Sequence, residues 1–188
     1  MNPLLNLRKS IGFGFMNASW PGSPVLTDEK AREAFLDVLR FALDEGVTFF
    51  DTADIYAPSW DAMGHNEILL ADAIDGWSGS AEQKQSLVLA TKGGITRAEG
   101  EIWGRNASAD YLVRAAERSA KNLRVAVIPV WQHHRLDPSR TFSEALAGLK
   151  AVKASGIARH IGVSNYNAKQ LRAAFDAVGG PADGGLVS

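Results

Sequence analysis

An α/β fold of parallel strands joined by helices is what this sequence predicts, and three observations predict it. Short apolar or β-branched runs alternate with longer stretches of helical spacing from one end to the other. Turn and cap residues punctuate nearly every change of period. Each pair of runs is separated by the dozen or more residues that a parallel connection needs, and a helix supplies that length compactly.

Ile11 to Phe15 reads as a first strand. Thr27 is placed to cap a helix running through Glu45, with Ala31, Phe35, Val38, Leu39, Ala42 and Leu43 on one face and Gly46 ending it. Val47 to Phe50 is a second strand. Asn66 to Trp77 is helical, with Ile68, Leu69, Ala73 and Ile74 able to face a sheet. Leu87 to Thr91 is a third strand, followed by a loop rich in Gly, Arg and Asn. Ser108 then caps a helix to about Leu123, and Val127 to Gln132 is a strand despite Pro129. A helix over Thr141 to Ser155 closes at Gly156, and Arg159 to Val163 is a strand. Ala168 to Val178 is a helix stopped by Gly179, Gly180 and Pro181, and Leu186 to Ser188 begins one more strand. About five to six βα units are thus present in one domain spanning 1–188, where a (β/α)8 barrel has eight and about 250 residues. Either a TIM-type barrel cut short or a smaller open sheet satisfies the pattern.

The 188 residues, 46% apolar and 22% charged, suffice for a packed core. With 20 basic against 21 acidic residues and no like-charge block, nothing attracts nucleic acid or an anionic membrane. The absence of cysteine excludes disulfides, a thiol nucleophile and a zinc-thiolate site. No histidine and carboxylate cluster has ligand spacing, so no metal is expected. Met1 to Phe15 lacks the uninterrupted apolar run of an export leader, and no run approaches the roughly 20 residues that span a bilayer. The expected compartment is the cytoplasm.

The conspicuous polar residues come directly after apolar runs: Asp51 after Val-Thr-Phe-Phe, Lys92 after Val-Leu-Ala-Thr, His133 and His134 after Val-Trp-Gln, and Asn165 after Ile-Gly-Val-Ser. In a parallel α/β protein all strand C-terminal ends open on one face, so these positions converge there. Taken singly, each has a plainer reading: Asp51 as a turn or helix cap, Lys92 before two glycines as a surface turn, Tyr56 as a half-buried packing residue.

Four strings in order, Asp51-Thr52-Ala53-Asp54-Ile55-Tyr56, Thr91-Lys92-Gly93-Gly94, Gln132 to Pro138 and Gly156 to Asn165, resemble the aldo-keto reductases. The resemblance runs from about Gly12 to the last residue and implies the (β/α)8 TIM-type barrel. It implies a catalytic tetrad of Asp51, Tyr56, Lys92 and His134, with His134 preferred over His133 because the family's histidine directly precedes an Arg-x-Asp-Pro string. It also implies NADPH as cofactor, with Ser164, Asn165 and Asp51 on the nicotinamide side, and a small carbonyl compound as substrate. Trp20, Trp60 and Trp103, in loops, together with His133, are candidates to line the substrate pocket.

The chemistry calls for such residues. Hydride addition to a carbonyl delivers negative charge to its oxygen, so a donor must sit there and release a proton. A free phenol, with a pKa of about 10, gives up its proton reluctantly near neutrality, and an adjacent ammonium favours the phenolate. A carboxylate beside that ammonium keeps it from being a buried unpaired charge. An asparagine amide offers the nicotinamide carboxamide both a donor and an acceptor.

Two stretches depart from the family pattern. Arg124 to Pro129 replaces an acidic residue and a glycine before the histidine strand, and Leu186-Val187-Ser188 falls where the family continues into a strand bearing a cofactor-contacting glutamine. On that reading the barrel is cut short, NADPH affinity falls, and unpaired sheet edges favour self-association. The rival readings are a catalytically silent binding or regulatory protein of the same fold and an inactive fragment.

Overall fold

In the computed structural model, which describes residues 11–188, the elements in chain order are β1 (Gly12–Gly14), α1 (Glu29–Asp44), β2 (Phe49–Asp51), α2 (His65–Asp75), α3 (Ala81–Gln85), β3 (Val88–Gly93), β4 (Ile95–Ala98), β5 (Ile102–Arg105), α4 (Ala109–Asn122), β6 (Ile128–His133), α5 (Phe142–Ser155), β7 (Ala158–Val163) and α6 (Ala168–Val178). The first ten positions of the segment read for an export leader lie outside this range.

Five strands form one parallel sheet in the order β1-β2-β3-β6-β7, each beside the next of the set along the chain. Residues 186–188 continue the arrangement: Leu186 bridges Ile161 in parallel, and Val163 N donates to Ser188 O at 2.8 Å. Helices connect the strands, so each strand has one face toward a helical layer and one toward the inside of the arc. Phe50, Leu89, Trp131 and Ile161 point to the helices, where they meet Leu39, Leu43, Leu69, Leu112, Leu149 and Val152. The inner face carries a smaller cluster of Val88, Ala90 and Val130, with Phe49 and Val187 packed on it. Deleting one of the fully buried large side chains costs on the order of 2–5 kcal/mol.

Local chemistry explains the boundaries. The carboxylate of Asp28, not Thr27, caps α1 by accepting from Lys30 N and Ala31 N, while Thr27 closes the preceding turn of 3-10 helix. Thr141 with Glu144 and Asn167 with Gln170 form reciprocal capping boxes on α5 and α6. Ser108 occupies the cap position of α4 without a side-chain hydrogen bond. Pro129 is tolerated in β6 because it falls between the paired positions Ile128 and Val130, at the strand's start.

The helix faces are shifted slightly from expectation. Val38 and Ile68 are exposed, and Leu36 and Leu70 take the buried places. Asn66 lies in the first turn of α2. It is buried, donating through Nδ2 to Phe15 O and Ser19 Oγ and accepting from Thr52 Oγ1 at 2.6 Å, which fastens the ends of β1 and β2 to α2. The stretch expected as loop after β3 contains an antiparallel hairpin, β4 and β5. Among the described residues no helix is long and apolar enough to cross a membrane.

Candidate active site

Alternation of side chains along each strand decides what reaches the inner face. On β3, Ala90 and Lys92 point the same way, and Asp51 at the end of β2 lies in register with Ala90. The small Ala90 leaves Asp51 and Lys92 to meet on the diagonal. Lys92 Nζ donates to Asp51 Oδ2 at 2.6 Å, to Thr52 O at 2.8 Å and to Tyr56 OH at 3.5 Å. The lysine side chain is 8% exposed and the aspartate 32%, so the ammonium is the buried partner and the carboxylate keeps water. Tyr56 follows a turn in which its N–H donates to Ala53 O, and its ring sits 5.1 Å from Nζ.

His134 comes one residue after β6, on the same side as Val130 and Gln132. Its ring stands edge-on to Tyr56 with centroids 5.7 Å apart. Burial, and then the charges of Lys92, Arg135 and His133, lower its pKa to about 3, so the ring is neutral across the physiological range. Asn165, with φ 61°, turns its Nδ2 back to donate to His134 O at 3.0 Å, and Ser164 N donates to His133 O. Four strand ends therefore bring Asp51, Tyr56, Lys92, His134, Ser164 and Asn165 to one face of the sheet.

Tyr56, His134, Ser164 and Asn165 line a cavity of about 790 Å3. Met16, Trp20, Ile55, Ile95 and Trp103 form its apolar walls, and Arg105 and Arg135 line it as well. Trp20 and Trp103 pack against each other with centroids 6.3 Å apart. The hairpin supplies one wall and is tied to the loop after Tyr56, since Arg97 donates to Ala57 O and Pro58 O, pairs with Glu101 and lies under Trp103. A cavity of this size, mostly apolar with a few convergent polar groups, suits a small organic ligand. Among the described residues no group of three potential metal ligands occurs.

Two expected pocket residues lie elsewhere. His133 points outward from β6 like Trp131; it is fully buried, its Nδ1 lies 2.8 Å from Tyr166 OH, and burial lowers its pKa to about 4. Period-two alternation from Trp131 would have separated the two histidines. Trp60 is absent from the cavity wall, and its backbone N–H donates to Glu101 Oε1 at 3.1 Å. Sequence reasoning missed Ile55 and Arg135, although both stand inside the recognised strings, and missed Ile95 and Arg105, which the unforeseen hairpin delivers.

Fold and site define a class. Residues 10–182 match the profile of the Aldo/keto reductase family, and the chain belongs to that family. It is 38% identical, over 72% of its length, to the 6-dehydroglucose reductase of Novosphingobium aromaticivorans, covering 43% of that protein. To an aldo-keto reductase of Schizosaccharomyces pombe whose name carries NADP(+), it is 30% identical over 88% of its length, covering 45% of that protein. The fold aligns with an aldo-keto reductase of Bacillus halodurans in its holo form at a TM-score of 0.68 and 25% identity, over 89% of this chain and 50% of that one. The architecture is of the TIM-barrel kind, and the chain spans about half the length of the relatives it matches.

Proposed function

We propose that this chain carries the catalytic residues of an NADPH-dependent reductase of aldehydes or ketones, with Tyr56 as proton donor. The observation that carries the reading is the Asp51–Lys92–Tyr56 chain of contacts opening, beside a neutral His134, on a cavity walled by apolar side chains.

The cofactor fits the residues present on its nicotinamide side. At the cavity wall Asn165 Oδ1 offers an acceptor, since its Nδ2 donates to His134 O and Ser164 Oγ, and the Ser164 hydroxyl offers a donor, a set suited to a carboxamide. When bound, the nicotinamide supplies the hydride. The protein's own groups handle the proton. A substrate carbonyl oxygen placed between Tyr56 OH and the His134 ring accepts hydrogen bonds from both, which orients it. As negative charge grows on that oxygen, Tyr56 transfers its proton to it, and the oxygen, still bonded to its carbon, becomes the hydroxyl of the alcohol product. The phenolate left behind faces the Lys92 ammonium, which Asp51 holds in place. A proton from water at the cavity mouth restores the phenol. Trp20 and Trp103 serve to shield the carbonyl from bulk solvent. The NADP(+) in the name of the Schizosaccharomyces pombe relative supports the choice of NADPH over NADH.

The test is NADPH oxidation followed by absorbance with a panel of small aldehydes, preceded by a fluorescence titration of NADPH binding. Saturable binding and aldehyde-dependent oxidation are expected. A chain that binds NADPH and turns over no carbonyl is a silent member of the fold, and one that binds none is the inactive fragment; either result overturns the proposed reductase activity.

A further inference from the structure

We infer that the substrate of this site carries an oxyanion besides its carbonyl, and that Arg105 and Arg135 receive it in the cavity that Tyr56 and His134 also line. The inference rests on the reductase reading for the carbonyl and on the cavity wall for the anion.

The wall holds two cations that no acid answers. Arg105 and Arg135 both line the cavity and both are exposed, so a ligand seated in it can touch them. Neither takes part in an ion pair among the described residues. Residues 1–10 contain no aspartate or glutamate. Asp137, the single carboxylate among the lining residues, is already engaged. Its side chain is 4% exposed; Oδ1 accepts from Ser139 N at 2.9 Å and Ser139 Oγ at 2.6 Å, and Oδ2 accepts from Ala107 N at 3.2 Å and lies 3.6 Å from Arg140 Nε.

A lone exposed arginine is ordinary surface, and water answers it. Here the fold brings two to one stretch of chain. Arg105, the last residue of β5, donates through Nη1 to Leu136 O at 3.0 Å, which holds its guanidinium against the backbone one residue past Arg135. Arg135 in turn follows His134 directly, and its charge, after burial and Lys92, is among the causes that lower the His134 pKa, so it acts within reach of the reacting centre. Like charges beside apolar walls focus their field and draw in ligands of the opposite sign, and Met16, Trp20, Ile95 and Trp103 are those walls. A guanidinium meets a carboxylate or a phosphate through two parallel charge-assisted bonds. An aldehyde or ketone with an apolar body and one such anion therefore satisfies the whole lining, where a neutral carbonyl compound leaves both arginines to water.

The test compares para-formylbenzoate, the neutral and nearly isosteric para-formylbenzamide, and para-formylphenyl phosphate as substrates, at saturating NADPH and fixed ionic strength. At least one anion is expected to show a KM about tenfold or more below that of the amide, the difference a charge-assisted pair supplies, and which anion does so identifies carboxylate or phosphate as the group received. In Arg105→Gln with Arg135→Gln that ratio should fall to about one; as a ratio within one protein, it is not moved by a general loss of activity. Equal KM values for the anions and the amide in the unaltered chain overturn the proposal. A preference that survives the double variant overturns it as well, and if that variant has lost NADPH affinity the arginines serve the cofactor instead. A chain that reduces none of the three removes the reductase reading alone. The anion site is then read from tryptophan fluorescence titrations with para-(hydroxymethyl)benzoate and its amide, where a tenfold preference for the acid that the double variant loses upholds it, and equal binding overturns it. Should the double variant fail to fold, the comparison of anion with amide on the unaltered chain decides.

Discussion

Removing either member of the Asp51–Lys92 pair should have unequal consequences, and the inequality follows from burial. In Asp51→Asn the Lys92 ammonium stays 92% covered and loses its carboxylate at 2.6 Å, keeping Thr52 O at 2.8 Å. The expected cost is about 2 kcal/mol, below the range for breaking a fully buried pair because one partner is a third exposed. In Lys92→Met the Asp51 carboxylate rehydrates, and the cost is about 1 kcal/mol. For a chain of this length each kcal/mol lowers Tm by roughly 2–4 °C, so the drops are about 4–8 °C and 2–4 °C. The two residues touch, so their effects should not add, and the double variant should fall about 1.5 kcal/mol short of the sum. Urea unfolding followed by circular dichroism measures all four corners of the cycle. Additivity within about 0.4 kcal/mol, or a larger loss from Lys92→Met than from Asp51→Asn, would refute the reasoning.

Other expectations follow from the same geometry. His133 and His134 have folded pKa values of about 4 and about 3, below that of an unfolded histidine. The unfolded chain therefore binds the extra protons below about pH 6.5, so their contribution to stability is complete above that pH and declines toward pH 3, by roughly 1.4 kcal/mol per unit for each ring. Proton NMR should show both ring C–H resonances unmoved from pH 8 to 5.5, and a midpoint between 6 and 7 in either would contradict this. Gly94→Ala should destabilise by about 2–3 kcal/mol in urea unfolding, since φ is +109° and the new Cβ would stand 2.7 Å from His133 Cδ2. Trp103→Ala removes a cavity wall that is half exposed, so Tm should change little while the KM for carbonyl substrates rises several-fold; a large stability loss with unchanged KM would show that the tryptophan only packs.

The strand ends were legible because Val88 to Ala90 and Val130-Trp131 are buried on both faces, Phe50 is buried and Phe49 partly so, and all read as unbroken apolar runs before Asp51, Lys92 and His134. The hairpin was not, because β5 is exposed along its whole length and shows no apolar alternation, and its turn is formed by Gly100 and Glu101 at positive φ. Thr27 and Asp28 are adjacent capping residues, and the structure uses Asp28, the stronger of the two. Val38 and Ile68 were misassigned because a helical stripe read from sequence leaves its centre free by one position.

The central claim is that Tyr56 delivers the proton, and single-turnover NADPH oxidation by Tyr56→Phe beside the unaltered chain tests it most directly. The account predicts that removing one hydroxyl lowers the hydride-transfer rate by about 10²–10⁴-fold while NADPH binding is unchanged. Equal rates in the two proteins would contradict it, since some other group would then be protonating the carbonyl oxygen.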